Sequence, residues 1–134
     1  MTVDIEAFKV LGAGRLPGLI GIEVDEIGPG RVRMHLTLRD ELLAPNGYLH
    51  AATVVALADS ACGYGCIASL PDKAIGFTTI ELKTNFHGTA LDGTIACESE
   101  LVHGGRTTQV WDATVTNDGG KRLALFRCTQ LLLY

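Results

Sequence analysis

Two periodicities divide this chain. Between Arg31 and Leu38 apolar and polar residues alternate strictly, with Val32, Met34, Leu36 and Leu38 on one side and Arg31, Arg33, His35 and Thr37 on the other. A period of two is that of a strand with one buried face. From His50 the pattern becomes a near-continuous apolar run, HAATVVALADSACGYGCIASL, too long for a strand and without a polar side. It reads as a helix opening near His50 and buried all round. Ahead of these, residues 3–13 read as a short amphipathic helix ending at Gly12 or Gly14, residues 18–26 as a first strand, and Gly28-Pro29-Gly30 as the turn into the second.

Four strand-like runs follow the long helix, at 75–87, 94–103, 106–117 and 121–133. Their separators, Leu91-Asp92-Gly93, Gly104-Gly105 and Asn117-Asp118-Gly119-Gly120, have hairpin chemistry, so the four are expected to form an antiparallel meander. One apolar helix and six strands bury one another only if the sheet curves around the helix, which predicts an α+β fold in a single domain over residues 1–134. Gly63 and Gly65 are poor helix formers, but they allow a wrapped sheet to approach the helix backbone closely.

Composition adds an expectation about assembly. Hydrophobic residues make up 47% of the chain and charged residues 19%, apolar enough that some surface should disappear between subunits. A formal net charge of −4 gives no basic footprint for nucleic acid or an anionic membrane. The N-terminal MTVDIEAFKVLGAG lacks the basic flank and long apolar core of a secretion signal, which points to the cytoplasm. Residues 51–70 are long enough to span a bilayer, but Asp59 at their middle and several small residues argue against a membrane span. Cys62, Cys66, Cys97 and Cys128 form no CxxC pair and no zinc spacing with the four histidines, so they read as small buried hydrophobes.

From Leu42 to Pro71 the only formal charge is Asp59. A carboxylate in a buried helix raises its pKa unless it is partnered, and groups perturbed in this way concentrate at functional sites. Two readings of the residue remain open: a chemical role, or a structural Asp satisfied by a hydroxyl such as Ser60 or Thr53 or placed at a subunit seam.

The segment NGYLHAATVVALADSACG at the head of the helix resembles the hotdog-fold acyl-CoA thioesterases of the PaaI-like family. In that family the helix opens with a His-Gly-Gly triplet preceded by a Gly, and a carboxylate follows two to three turns later in a context like LADSA. Gly47, His50, Leu57, Ala58, Asp59, Ser60 and Ala61 match, whereas Ala51 and Ala52 stand where the family has both glycines of the triplet. The resemblance covers nearly the whole chain. It implies a long central helix wrapped by a curved six-stranded antiparallel sheet. It also implies hydrolysis of a thioester to free acid and coenzyme A, with no metal or redox cofactor and coenzyme A as part of the substrate.

The resemblance also assigns roles. The Ala51 N–H, at a helix N-terminus, would stabilise the thioester oxyanion. Asp59 would act as general base for water or as the nucleophile. His50 would cap the helix or position substrate. Asn46, displaced by two positions from a family carbonyl contact, would compensate for it or shape the Pro45-Asn46-Gly47 turn. Thr79, in GFTTIELKTNF, would steady the attacking water, with Thr78 as the alternative if the register shifts by one. Arg106, in the turn His103-Gly104-Gly105-Arg106, is the first candidate for the coenzyme A phosphates, followed by Lys83, Lys121 and Arg122.

A non-catalytic acyl-CoA-binding protein and a hotdog hydratase or dehydratase are the alternatives. Steady release of thiol would separate catalyst from sensor. A helix rises 1.5 Å per residue, so Ala51 and Asp59, eight residues apart, lie roughly 12 Å apart along its axis. Both cannot serve one carbonyl carbon. The expected assembly is therefore a two-fold homodimer with shared sites, with tetramers as a further step.

Overall fold

The structure is a computed structural model and describes residues 3–134. Two short helices, α1 (Ile5–Leu11) and α2 (Leu16–Ile20), precede strands β1 (Glu23–Gly28) and β2 (Arg31–Thr37). The long helix α3 (Ala51–Ala68) follows, then β3 (Gly76–Phe86), β4 (Thr94–Gly104), β5 (Thr108–Thr116) and β6 (Arg122–Leu133). All six strands form one antiparallel sheet in the order β1-β2-β4-β5-β6-β3. The concave face closes on α3, through Val32, Met34 and Leu36 of β2, Ile95 and Cys97 of β4, Trp111 and Val115 of β5, and Phe126 and Cys128 of β6.

Two expectations need correction. The run at 18–26 is not one strand. Pro17 sits in the first turn of α2, Gly21 ends that helix in the left-handed region at φ 90°, and the strand begins only at Glu23. The Arg39 guanidinium donates to the carbonyls of Leu19 and Ile20, both at 2.8 Å, and so stabilises the short helix at its end. Nor do the last four strands form a meander. β4, β5 and β6 do, but β3 lies beyond β6, with Thr79 opposite Gln130 and Thr84 opposite Phe126. The residues Leu91-Asp92-Gly93 therefore belong to a crossover rather than a hairpin.

The helix α3 also departs from uniform burial. Thr53, Val54, Leu57, Ala58 and residues 61–66 are buried, while Val55, Ala56, Asp59 and Ser60 are only half-covered and Ala51, Ala52 and Ile67 are exposed. Although α3 is long and apolar enough to cross a membrane, it is the core helix of the sheet. Its glycines behave as expected. A Cβ on Gly63 would meet the Phe77 ring at 3.0 Å, and one on Gly65 would meet Trp111 at 2.5 Å. The four cysteines are free and buried, and burial pushes Cys66 and Cys97 each up to about 12.

Candidate active site

The N-terminus of α3 is built by His50. Its backbone is extended, φ −68° and ψ 132°, and its Nδ1 accepts a hydrogen bond from the Ala52 N–H at 2.9 Å. The His50 carbonyl accepts from the N–H groups of Thr53 and, at longer range, Val54. Among the described residues no acceptor faces the N–H of Ala51, which is exposed. A free N–H at the positive end of an 18-residue helix suits a developing negative charge. Asn46 lies in the preceding turn, where its Oδ1 accepts from the Tyr48 N–H at 3.2 Å and Gly47 takes a φ of 88°. The side chain is engaged in shaping that turn.

Asp59 lies two turns further along. It shares a helix face with Gly63, four residues on, and Gly63 lies against Phe77 of β3. Its Oδ1 is buried with no hydrogen-bond partner among the described residues, and burial pushes the carboxyl above its ordinary pKa. Neither Ser60 nor Thr53 supplies a partner, because the Thr53 hydroxyl donates to the Leu42 carbonyl at 2.9 Å and Ser60 makes no hydrogen bond to the carboxylate.

β3 runs antiparallel to α3, since Phe77 packs at Gly63 while Thr89, just beyond the strand, accepts from the Leu49 N–H near the helix N-terminus. Thr79 is two residues beyond Phe77, and Asp59 one turn before Gly63. Both steps are about 6 Å in the same direction, so Thr79 lies alongside the Asp59 turn on the helix-facing side of β3. Its hydroxyl donates to Gln130 Oε1 at 2.6 Å. Gln130 is fully buried, faces Gln109 across β5 and β6, and donates weakly to Cys128 Sγ at 3.5 Å. Cys62 of α3 neighbours Cys128, and its thiol is pushed up by burial, by Cys128 and by the nearby Asp59 charge. Gln130 was not among the sequence candidates. Its signal was a polar residue in phase with the apolar Phe126, Cys128 and Leu132.

The four candidate cations do not converge. Arg106 lies in a cleft of about 560 Å³ beyond the C-terminal end of α3, with Pro71, Asp72, Lys73, Thr107 and Tyr134. Lys73, which sequence reasoning missed, adds a second positive charge there. Lys83 lies on the outer face of β3 near the Asp112–Arg127 ion pair. Lys121 ends the β5–β6 connection and Arg122 opens β6, with the Lys121 side chain over Gly88. No three His, Cys, Asp or Glu side chains among the described residues group as metal ligands.

The family model of the thioesterase superfamily matches residues 46–124, which span the helix head, Asp59, Thr79 and Arg106. A 1,4-dihydroxy-2-naphthoyl-CoA hydrolase from Listeria monocytogenes is 32% identical over 110 residues, covering 82% of this chain and 89% of that protein. The acyl-coenzyme A thioesterase PaaI of Escherichia coli is 28% identical over 109 residues, covering 81% and 75% respectively. Among solved structures, a mutant of the thioesterase PA1618 from Pseudomonas aeruginosa superposes with a TM-score of 0.93 over 99% of this chain and 96% of its own, which at 23% identity is a statement about fold alone. A helix-heading His, an exposed first-turn N–H and an unpartnered carboxylate thus occur on a chain that belongs to the thioesterase superfamily, as a PaaI-like thioester hydrolase of the hotdog fold.

Proposed function

We propose that the chain hydrolyses acyl-CoA, with Asp59 as general base and the Ala51 N–H as oxyanion donor. The observation that carries this reading is the unpartnered, half-buried Asp59 carboxylate on the core helix. Held above its ordinary pKa by burial, it is a stronger base than an exposed carboxylate. A water oxygen bonds to the acyl carbon while one of its protons passes to Asp59. The carbonyl oxygen becomes an oxyanion and accepts from Ala51. Collapse of this intermediate breaks the C–S bond, and the proton on Asp59 passes to the departing sulfur, leaving free acid and coenzyme A.

Each site takes Ala51 from one subunit and Asp59 from another, because the two lie roughly 12 Å apart on their own helix. Two features support a two-fold dimer. Among the described residues the edge strand β3 pairs only with β6, so its other side presents unpaired backbone groups over eleven residues. On the same strand Ile80 and Phe86 are about half exposed, at 57% and 48%. Edge-to-edge pairing of two β3 strands would bring the half-covered faces of two antiparallel α3 helices together.

Arg106, together with Lys73, holds the phosphates of the coenzyme in this reading, and Lys83, Lys121 and Arg122 contribute less. The likeness to the Listeria hydrolase makes a hydroxylated aromatic acyl group the first to be assayed, against short and medium aliphatic ones.

Complementation tests the shared site. Asp59→Asn removes the base, and Ala51→Pro removes the N–H at a position where helices accept proline. The extended His50 is already compatible with a following proline. Each variant alone should be nearly inactive. Randomly mixed chains are about half heterodimers with one intact site of two, so roughly a quarter of wild-type activity should return. Folded heterodimers without activity would overturn the shared site.

A further inference from the structure

A water attacking beside Asp59 must be oriented, and a buried side chain of β6 fixes a hydroxyl alongside it. Thr79 has a single hydroxyl proton. That proton is given to Gln130 Oε1 over 2.6 Å, and Gln130 is fully buried on the inward side of β6. A hydroxyl whose proton is committed can only accept in its remaining directions. Thr79 Oγ1 thus presents lone pairs, not a proton, beside the Asp59 turn.

We propose that Gln130 is a positioning residue for hydrolysis, acting through Thr79. It locks the hydroxyl as an acceptor, so the attacking water gives one proton to Asp59, hydrogen-bonds the other to Thr79, and turns a lone pair to the acyl carbon. During the step the O–C bond forms and the first proton transfers to Asp59. The second stays on the new acid oxygen, held by Thr79 until that bond is made. Were the amide absent, the Thr79 hydroxyl would be free to donate to the water and turn its lone pair away from the substrate.

The surroundings of Gln130 explain why it holds one orientation. It is flanked by Thr79 on β3 and Gln109 on β5. The Gln109 amide is itself fixed, accepting from Trp111 Nε1 at 2.8 Å and donating to the Ser69 carbonyl at 2.9 Å. On its own strand, the Gln130 amide donates to Cys128 Sγ at 3.5 Å, and Cys128 neighbours Cys62 on α3. A buried amide in such a row rotates only by breaking hydrogen bonds that no water replaces.

The inference rests on Asp59 as the base, and its tests are separable from that reading. Gln130→Met keeps the length and removes the amide. It should lower kcat at least about tenfold while KM stays within about twofold, since the lost interaction acts on the transition state. Thr79→Val, on a strand position that suits a β-branched residue, should lose a similar factor, whereas Thr79→Ser, which keeps the hydroxyl, should recover most of it. The double variant should be no slower than Thr79→Val alone, because Gln130 acts only through that hydroxyl. Additive losses would make Gln130 a structural residue and overturn the proposal. Should Gln130→Met not fold, Thr79→Val decides, and wild-type kcat in that variant overturns it. An inactive Asp59→Asn beside an unimpaired Thr79→Val would sink this inference and leave the base standing, while an active Asp59→Asn would sink the base itself.

Discussion

Gly65 of the helix packs directly against the Trp111 ring of the sheet: the methyl that Gly65 lacks would lie 2.5 Å from the indole Cη2 and 2.6 Å from Cζ3. The ring cannot retreat, being fully buried and tied to Gln109 through its N–H. Gly65→Ala gains up to about 1 kcal/mol of helix propensity but overpacks this contact, which typically costs about 1–3 kcal/mol. The expected outcome is a net loss of stability, read as a lower urea midpoint. Gly63→Ala is the control. Its neighbour is the tip of the half-buried Phe77, at 3.0 Å, which has room to shift, so the loss should be smaller.

Asp59 links stability to pH in the opposite sense from most carboxylates. Its folded pKa lies above the ordinary 3.8 because burial disfavours the charge. The native state therefore holds the proton more tightly than the unfolded chain, and stability falls as pH rises from 3.8 through the raised folded value. Asp59→Asn should melt higher than wild type at neutral pH, and the advantage should vanish below the ordinary carboxylate range. The same shift sets the acid limb of kcat/KM, which should fall on acidification at a pH above that of an unperturbed carboxylate. A variant that is no more stable than wild type at neutral pH would mean that the charge is compensated.

His35 works the other way. Its Nδ1 lies 2.8 Å from Asp25 Oδ2 and its Nε2 2.9 Å from Glu23 Oε2, so the imidazolium joins β2 to the edge strand β1. Hydrogen bonding to Asp25 is the main cause of a folded pKa above 6.5. Its stabilising contribution is complete below 6.5 and is lost as pH rises through the raised folded value. His35→Gln should therefore be destabilised relative to wild type in mildly acidic buffer and nearly equal to it in alkaline buffer. A deficit independent of pH would assign the effect to packing.

If Arg106 pairs with a phosphate of the coenzyme, Arg106→Ala should raise KM several-fold with little change in kcat, and added salt should shrink the difference. Lys73→Ala should behave alike, since both cations border one cleft. An unchanged KM at low salt would return both to the ordinary surface.

The elements were legible in the sequence to within a few residues wherever period and capping agreed, as at β2 and α3. Partnership was not. Leu91-Asp92-Gly93 has real turn chemistry, with Gly93 at φ 76°, yet turn chemistry says nothing about which strand lies beyond it. The run at 18–26 misled because its apolar residues masked the Pro17 and Gly21 signals of a single-turn helix. In the site, Asp59 stood out as a charge without company. Gln130 did not, because a glutamine in the buried phase of a strand shows its meaning only when a hydroxyl from a distant strand is found opposite it. The open stripe on α3 escaped for a related reason: small residues look buried in sequence whether or not anything covers them.

The place of β6 has a consequence for how the chain acquires its structure. β6 is the seam of the sheet, paired to β5 on one side and to β3 on the other. During synthesis β3 emerges early and finds no neighbour, then waits through β4 and β5 until β6 arrives to join the two parts. Pairings that distant in sequence form slowly and leave strands exposed meanwhile. Lesions in β6 should therefore reduce the yield of folded protein more than their effect on the finished molecule would suggest, because they prolong the interval in which β3 has no partner of its own chain.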